Sequence, residues 1–452
     1  MKSCSTLAPH TDAMNHVARL RKAVSLSVFC LLLGACGGDT VTPPEPLPGP
    51  QLVLDSTFGT AGQVRTDLMQ YNEIYAAALQ PDGKIMVAGT VSEGDATAFA
   101  LVRYLPDGRV DSTFGEGGSV VTNLRPPDGV WLALPYFLRV QADGKLLVGG
   151  VRYVPDDDPY RNHSPRLVIL RYTAEGELDT AFADQGFFTL ETFLPGDSAA
   201  SDAVLQADGE LVVVGSVRTE RESKALLLRL TAEGQLDPSF GTGGISYALP
   251  GENARSIVLT EAQTFIVASG DELVRVNRDG TLDDTFLFVQ PDDTHEWSGA
   301  ERLALQADGK ILLGSSEERR YIPPEPEPLR PQTSPVPVLD VVVRRLNADG
   351  SVDSSFGNNG IAVIEVREFG VLSDLKVQPD GKLAIAGRYG FSALRLNANG
   401  GLDASYVDAF ESAEVALVTP ENALIIVGHD SGDEQRSFAL AKFLPEATAE
   451  RR

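Results

Sequence analysis

From about residue 52 onward the apolar residues come in short runs, rich in Val, Ile and Leu and bounded by Gly, Pro, Asn and Asp. Several runs alternate apolar with polar positions, as in Ala393-Leu394-Arg395-Leu396, and no helical period is sustained after residue 50. Both features predict strands. The runs are copies of one module. A phrase of the form Leu-Asp-x-x-Phe-Gly recurs with its Asp at 55, 111, 179, 237, 283, 353 and 403, so the chain reads as seven units. A turn Gln-x-Asp-Gly recurs around Asp82, Asp143, Asp208, Asp308 and Asp380, and is eroded in the fourth and seventh units. A basic residue recurs in the third apolar run after each phrase: Arg103, Arg171, Arg229, Arg275, Arg345, Arg395 and Lys442. Repetition of this length is the signature of a propeller or an array.

Each unit predicts four strands, a to d; in the sixth they are 361–366, 372–378, 382–387 and 392–397. The Asp-Gly between b and c suits a tight hairpin, because Gly accepts positive φ. Crossing from the outer strand of one four-stranded sheet to the inner strand of the next spans roughly 14 Å. The one link long in every unit is d to a, which carries the Asp-x-x-Phe-Gly phrase. That reasoning places a innermost, d outermost, and the Phe (58, 114, 182, 240, 286, 356; Tyr406 in the seventh unit) as an anchor packed between sheets. The expectation is an all-β, seven-bladed β-propeller of four-stranded antiparallel blades, whose closed ring needs no caps.

Taken together, Leu-Asp-x-x-Phe-Gly-x-x-Gly, Gln-(Pro/Ala)-Asp-Gly-Lys and the Arg of strand d resemble the delta-60 repeat family of bacterial β-propeller proteins, over roughly residues 52–445. The resemblance implies the propeller fold. It carries no activity, catalytic residue or cofactor across.

The N-terminus sets an address. Arg19, Arg21 and Lys22 precede an apolar stretch over 23–33, too short to span a bilayer. The stretch ends Leu33-Gly34-Ala35-Cys36, which resembles the lipobox of bacterial lipoproteins. Residues 1–35 are therefore expected to be a signal peptide, with Met14 an alternative start. Residues 36–50 would be a lipidated Cys36 and a Pro/Gly tether, 51–446 the propeller and 447–452 a tail. The cysteines are 4, 30 and 36, so processing leaves Cys36 alone, a thiol whose natural occupant is lipid. Gly37 rather than Asp after it points to the outer membrane, with the body periplasmic or surface-exposed and monomeric. Loss of 1–35 takes the formal charge from −25 to about −28. That excludes nucleic acid as a partner and suits cationic ones.

Catalytic motifs are absent. His163, His295 and His429 lie in predicted loops without metal-ligand spacing, and there is neither a nucleophile elbow nor a phosphate loop. No cofactor is expected; Asp156, Asp157, Asp158, Asp292 and Asp293 are carboxylates that could take Ca²⁺, without an EF-hand pattern. A basic residue needed once per blade reads as structural, tying each blade to its neighbour. The units differ in the a–b and c–d loops, which share one face. Units two and five place Trp131, Tyr136, Tyr153, Tyr160, His163, His295 and Trp297 there, a candidate ligand surface. The resulting expectation is a non-catalytic binding or scaffold module for protein or glycan, tethered to the membrane through Cys36. The alternatives are a propeller hydrolase or lyase acting on polysaccharide, and a purely structural envelope protein.

Overall fold

A computed structural model describes residues 49–445, apart from 70, 94–95, 125–131, 156–162, 191–195, 219–221, 289–298, 319–338, 367–369, 408 and 432–435. Cys36, Trp131, Tyr160, His295, Trp297 and the proposed Ca²⁺ carboxylates lie outside the described residues. One compact unit comprises Pro46–Pro155 and Ser164–Arg452. Among the described residues no helix is long and apolar enough to cross a membrane.

The strands form antiparallel sheets, most of them four-stranded. In a representative one, Asp197–Leu205, Leu211–Arg218, Ser223–Leu230 and Ile245–Ser246 lie side by side in that order. These are strands b, c and d of one unit and strand a of the next. The expected order is thus wrong at both edges: b, not a, is the inner strand, and a of the next unit, not d, is the outer one. The long link does not cross between blades. It folds back on the end of d, with Asp237 N–H donating to the Arg229 carbonyl (3.0 Å) and Gly244 N–H to Phe240 (2.9 Å). Strand a then pairs with d, Leu228 opposite Ile245. Length in that segment is spent on a compact double turn, so it never measured a span. The same order holds for the sheet of Tyr71–Leu79, Ile85–Glu93, Ala96–Tyr104 and Ser119–Thr122.

One sheet has eight strands, but among the described residues its two b–c–d–a halves are joined by strand pairing at a single position, Arg388 opposite Ser412. The last of these strands is Gln63–Thr66, from the start of the chain, zipped onto Arg436–Phe443 with Gln63 opposite Ala441 and Thr66 opposite Phe438. Asp55 N–H donates to the Lys442 carbonyl (2.8 Å), Leu444 N–H to Val53 (2.8 Å), and Lys442 Nζ lies 3.5 Å from the Asp55 carboxylate. The first Asp-x-x-Phe-Gly phrase therefore completes the last sheet. The b strands adjoin in succession, from Tyr71–Leu79 through Ala133–Val140 and onward to Ser412–Val418, which adjoins Tyr71–Leu79 again. This circuit of b strands is closed and lines the axis.

The repeated residues hold neighbouring sheets together, as the once-per-blade argument anticipates. Arg103 Nε donates to Asp111 (2.8 Å), Nη2 to Thr113 (3.0 Å) and Nη1 to the carbonyl of Ala174 in the next sheet (2.7 Å), while its guanidinium stacks 4.8 Å from the Phe114 ring. Arg229 and Arg345 repeat this set, reaching the carbonyls of Arg278 and Ala398. Each Phe is capped by a turn glycine of the following sheet. A Cβ on Gly176, at φ +96°, would sit 2.9 Å from the Phe114 ring, and one on Gly108 3.0 Å from Phe58. Only glycine fits that approach. In the seventh unit, which has Tyr406 and no following Gly, the link runs straight as strand Leu402–Tyr406 and Tyr406 packs edge-on against Phe443.

Candidate functional site

Antiparallel strands put the b–c turns and d–a links on one rim and the c–d hairpins and a–b crossings on the other. The turn rim is monotonous. It holds an open recess of 710 Å³ lined by turn residues such as Gln306, Asp308, Gln378 and Thr419, all from the repeated motif or its eroded form.

The loop rim is built differently. Every b–c turn is closed by the N–H of Gln80, Gln141, Gln206, Thr260, Gln306, Gln378 or Thr419 donating to the carbonyl four residues on, which marks equivalent positions in all units. Five residues before each of these stand Tyr75, Tyr136, Ser201, Arg255, Glu301, Ser373 and Glu414. Six of the seven are extra residues of β-bulges: the pairing jumps from Ile74 to Ala76, Pro135 to Phe137, Ala200 to Asp202, Ala254 to Ser256, Leu372 to Asp374 and Ala413 to Val415. Glu301 immediately precedes its strand, Arg302–Leu305. A bulge re-aims the side chain it leaves unpaired. Here it does so at the inner wall, just inside the loop rim, with Tyr, Ser, Arg or Glu according to the unit.

These side chains meet. Tyr75 and Tyr136 form an edge-to-face pair with centroids 6.0 Å apart. Glu73 accepts from Tyr75 (2.5 Å), Tyr71 (2.9 Å) and Arg436 Nη1 (2.5 Å), and Arg436 stacks 5.1 Å from the Tyr71 ring. Burial alone would raise the Glu73 carboxyl, but the two tyrosine hydroxyls, His429 and Arg436 together hold it below the usual carboxylate range. Across the join between the last two sheets, Arg388 donates to Ser373 (3.1 Å) and lies 3.5 Å from Glu414. Glu414 also accepts from Ser412 (2.7 Å). His429, 7 % exposed, faces Glu414 with Nδ1 4.0 Å from Oε1 and no hydrogen-bond partner; burial pushes its pKa down. Glu301 accepts from Ser316 (2.9 Å), and burial raises its carboxyl despite the charges of Arg302, Arg255 and Arg388. Of the exposed tyrosines among the described residues, Tyr71 and Tyr136 stand on the inner strands at this mouth, whereas Tyr247 and Tyr389 follow the ends of strands Ile245–Ser246 and Leu383–Arg388.

Of the residues singled out from sequence, Tyr136 is at this mouth and half exposed. Tyr153 is not: it is partly buried on Leu146–Pro155, where burial and the Asp197 carboxylate of the next sheet raise its phenol. His163 and His429, expected in loops, stand on strands His163–Tyr172 and Leu424–Ser431, and burial lowers the pKa of His163. Sequence reasoning missed Glu73, Tyr75, Arg255, Glu301, Arg388, Glu414, His429 and Arg436. The available signal was a position that changes between Tyr, Ser, Arg and Glu at a fixed distance from a repeated turn. Among the described residues no group of three His, Cys, Asp or Glu could hold a metal ion.

Comparison with known proteins supports the repeat reading. A family described as a domain of unknown function (DUF5122) beta-propeller matches residues 80–114, 141–182, 206–240, 336–356 and 378–406. No curated protein matches the chain. Among solved structures, the WD40 repeats of RRP9 are similar at 11 % identity and a TM-score of 0.52, covering 87 % of this chain and 99 % of that one. A catalytically inactive virginiamycin B lyase from Staphylococcus aureus, with quinupristin, is similar at 13 % identity and a TM-score of 0.50, covering 84 % and 98 %. At such identities the likeness is one of fold: the chain is an all-β protein of repeated antiparallel sheets with the architecture of a β-propeller.

Proposed function

We propose that this protein is a seven-bladed, delta-60-type propeller, with the eight-stranded sheet counted as two blades, that serves the cell envelope as a non-catalytic binding module for protein or glycan. In this reading Cys36 carries lipid and holds the monomeric body at the outer membrane. The observation that carries it is the contrast between rims. Seven equivalent positions at the inner wall hold Tyr, Tyr, Ser, Arg, Glu, Ser and Glu, five of them Tyr, Arg or Glu, whereas the opposite rim repeats itself. Rigid strands presenting dissimilar polar and aromatic groups at one concave end are the usual construction of a binding site. The test is capture of envelope proteins and glycans by the mature chain bearing Cys36→Ser. Tyr136→Ala, which removes a partly exposed ring and no ion pair, should abolish capture without lowering the melting temperature, and undiminished capture would remove the site. The anchor is tested separately: Cys36→Ser should leave the envelope fraction.

A second reading, a propeller lyase or hydrolase acting on polysaccharide, draws on one observation: Glu301, hydrogen-bonded by Ser316, is a carboxyl at the mouth that burial raises above its usual pKa. Turnover in a broad polysaccharide screen that vanishes in Glu301→Gln would favour it over binding alone.

A further inference from the structure

Building on the binding-module reading, we infer that the loop-rim mouth takes a neutral, polyhydroxylated ring, a neutral saccharide, in preference to a charged one or a peptide. The reason is that the charges of the mouth are already spent on one another. Arg436 is engaged by Glu73 at 2.5 Å and by Glu411 at 3.6 Å, and Arg388 by Glu414 at 3.5 Å and Ser373 at 3.1 Å. An anionic ligand would have to displace the carboxylates, a cationic one the guanidinium groups. Either exchange breaks a partly buried ion pair and leaves its partner uncompensated. A ring of hydroxyls needs no such exchange, since each hydroxyl both donates and accepts. It can accept from the remaining guanidinium N–H groups and donate to carboxylate lone pairs that the internal bonds leave over.

Two further observations point to a ligand of this kind. The Nδ1 of His429 is buried beside Glu414 without a hydrogen bond, a polar atom that a ligand hydroxyl or a water bound with it would satisfy. And the tyrosines are placed for apolar contact, not for charge. Tyr136 is 38 % exposed and stands edge-on to Tyr75, so it offers ring surface to the flat C–H face of a pyranose. Polar groups fixed by their neighbours and a preset aromatic wall lower the ordering cost of binding a small rigid ring.

The experiment uses the full mature chain, residues 36–452, with Cys36→Ser, against an array of neutral, uronic or sulfated, and amino-sugar glycans. Hits are then titrated calorimetrically at about 50 and 500 mM NaCl, a range that removes most screening-sensitive attraction. The expected result is neutral hits with Kd changing less than about twofold with salt. Tyr136→Ala should weaken binding about tenfold or more, Tyr136→Phe should retain it, and Tyr247→Ala, on an outer strand's end, should have no effect. Arg388→Met should also weaken binding at least tenfold; where it fails to fold, Arg388→Lys replaces it, keeping charge but not the planar donor fork. Hits confined to charged glycans, with tenfold loss in high salt, would overturn the neutral-ring assignment while sparing the site. Peptide binding lost in Tyr136→Ala would do the same. No binding by any glycan or envelope protein would instead remove the binding-module reading itself.

Discussion

Replacing Phe58 by Ala should open the ring at one identifiable seam. Phe58 is 1 % exposed, packs in a cluster with Val427, Phe438 and Leu440, and lies under Gly108 of the following sheet. Truncating such a ring costs about 3–5 kcal/mol. Phe182 plays the same part in a sheet whose four strands are consecutive in the chain, and it is equally buried. The two differ in what the lost energy releases. Around Phe182 the strands are tied to each other covalently, so the loss is shared with the whole body. Phe58 sits on an N-terminal segment that is held by the four pairs of Gln63–Thr66 and a few flanking hydrogen bonds. At about 1.4 kcal/mol per tenfold, 3–5 kcal/mol corresponds to roughly 10²–10³-fold or greater acceleration of local opening. Hydrogen exchange of the amides of Asp55, Lys442 and Leu444, which bridge the seam, should rise by that factor in Phe58→Ala and stay near the wild-type rate in Phe182→Ala. Equal exchange in both variants, or a lower melting temperature with the seam still protected, would refute closure by the N-terminal strand.

Two other outcomes follow from buried charge. Arg344 and Glu317 are both fully buried and bonded to each other, so Arg344→Met alone should cost about 3–5 kcal/mol in urea unfolding, whereas Arg344→Met with Glu317→Leu should recover to within about 1 kcal/mol of wild type. Burial would raise Asp111, but hydrogen bonds from Thr113 and the charge of Arg103 bring it to about 2, below its unfolded value of 3.8. The unfolded chain therefore binds that proton first, and the contribution is complete above pH 3.8 and lost as pH falls through about 2. Asp111→Asn should be less stable at neutral pH and show a shallower fall of stability between pH 4 and 2, read by thermal melts across that range.

The strands and the turns were legible because they depend on local rules: period-2 burial and glycine at positive φ, within a module that the sequence repeats. The structural role of the Arg and Phe series was legible for the same reason, since a residue present in every copy answers a need of every copy. Strand order was not, because a link's residue count bounds its reach without saying whether it is extended or folded; the segment around Phe240 is folded. The mouth was not legible either. Glu73 and Arg436 are 363 residues apart in the chain and touch only because the first and last sheets share a seam. The bulges that turn Tyr75, Tyr136 and Glu414 inward are a matter of register, which depends on what the partner strand does. Composition and pattern decided that the chain makes repeated sheets; closure of the ring decided which side chains face one another, because only then do strands distant in sequence share a wall.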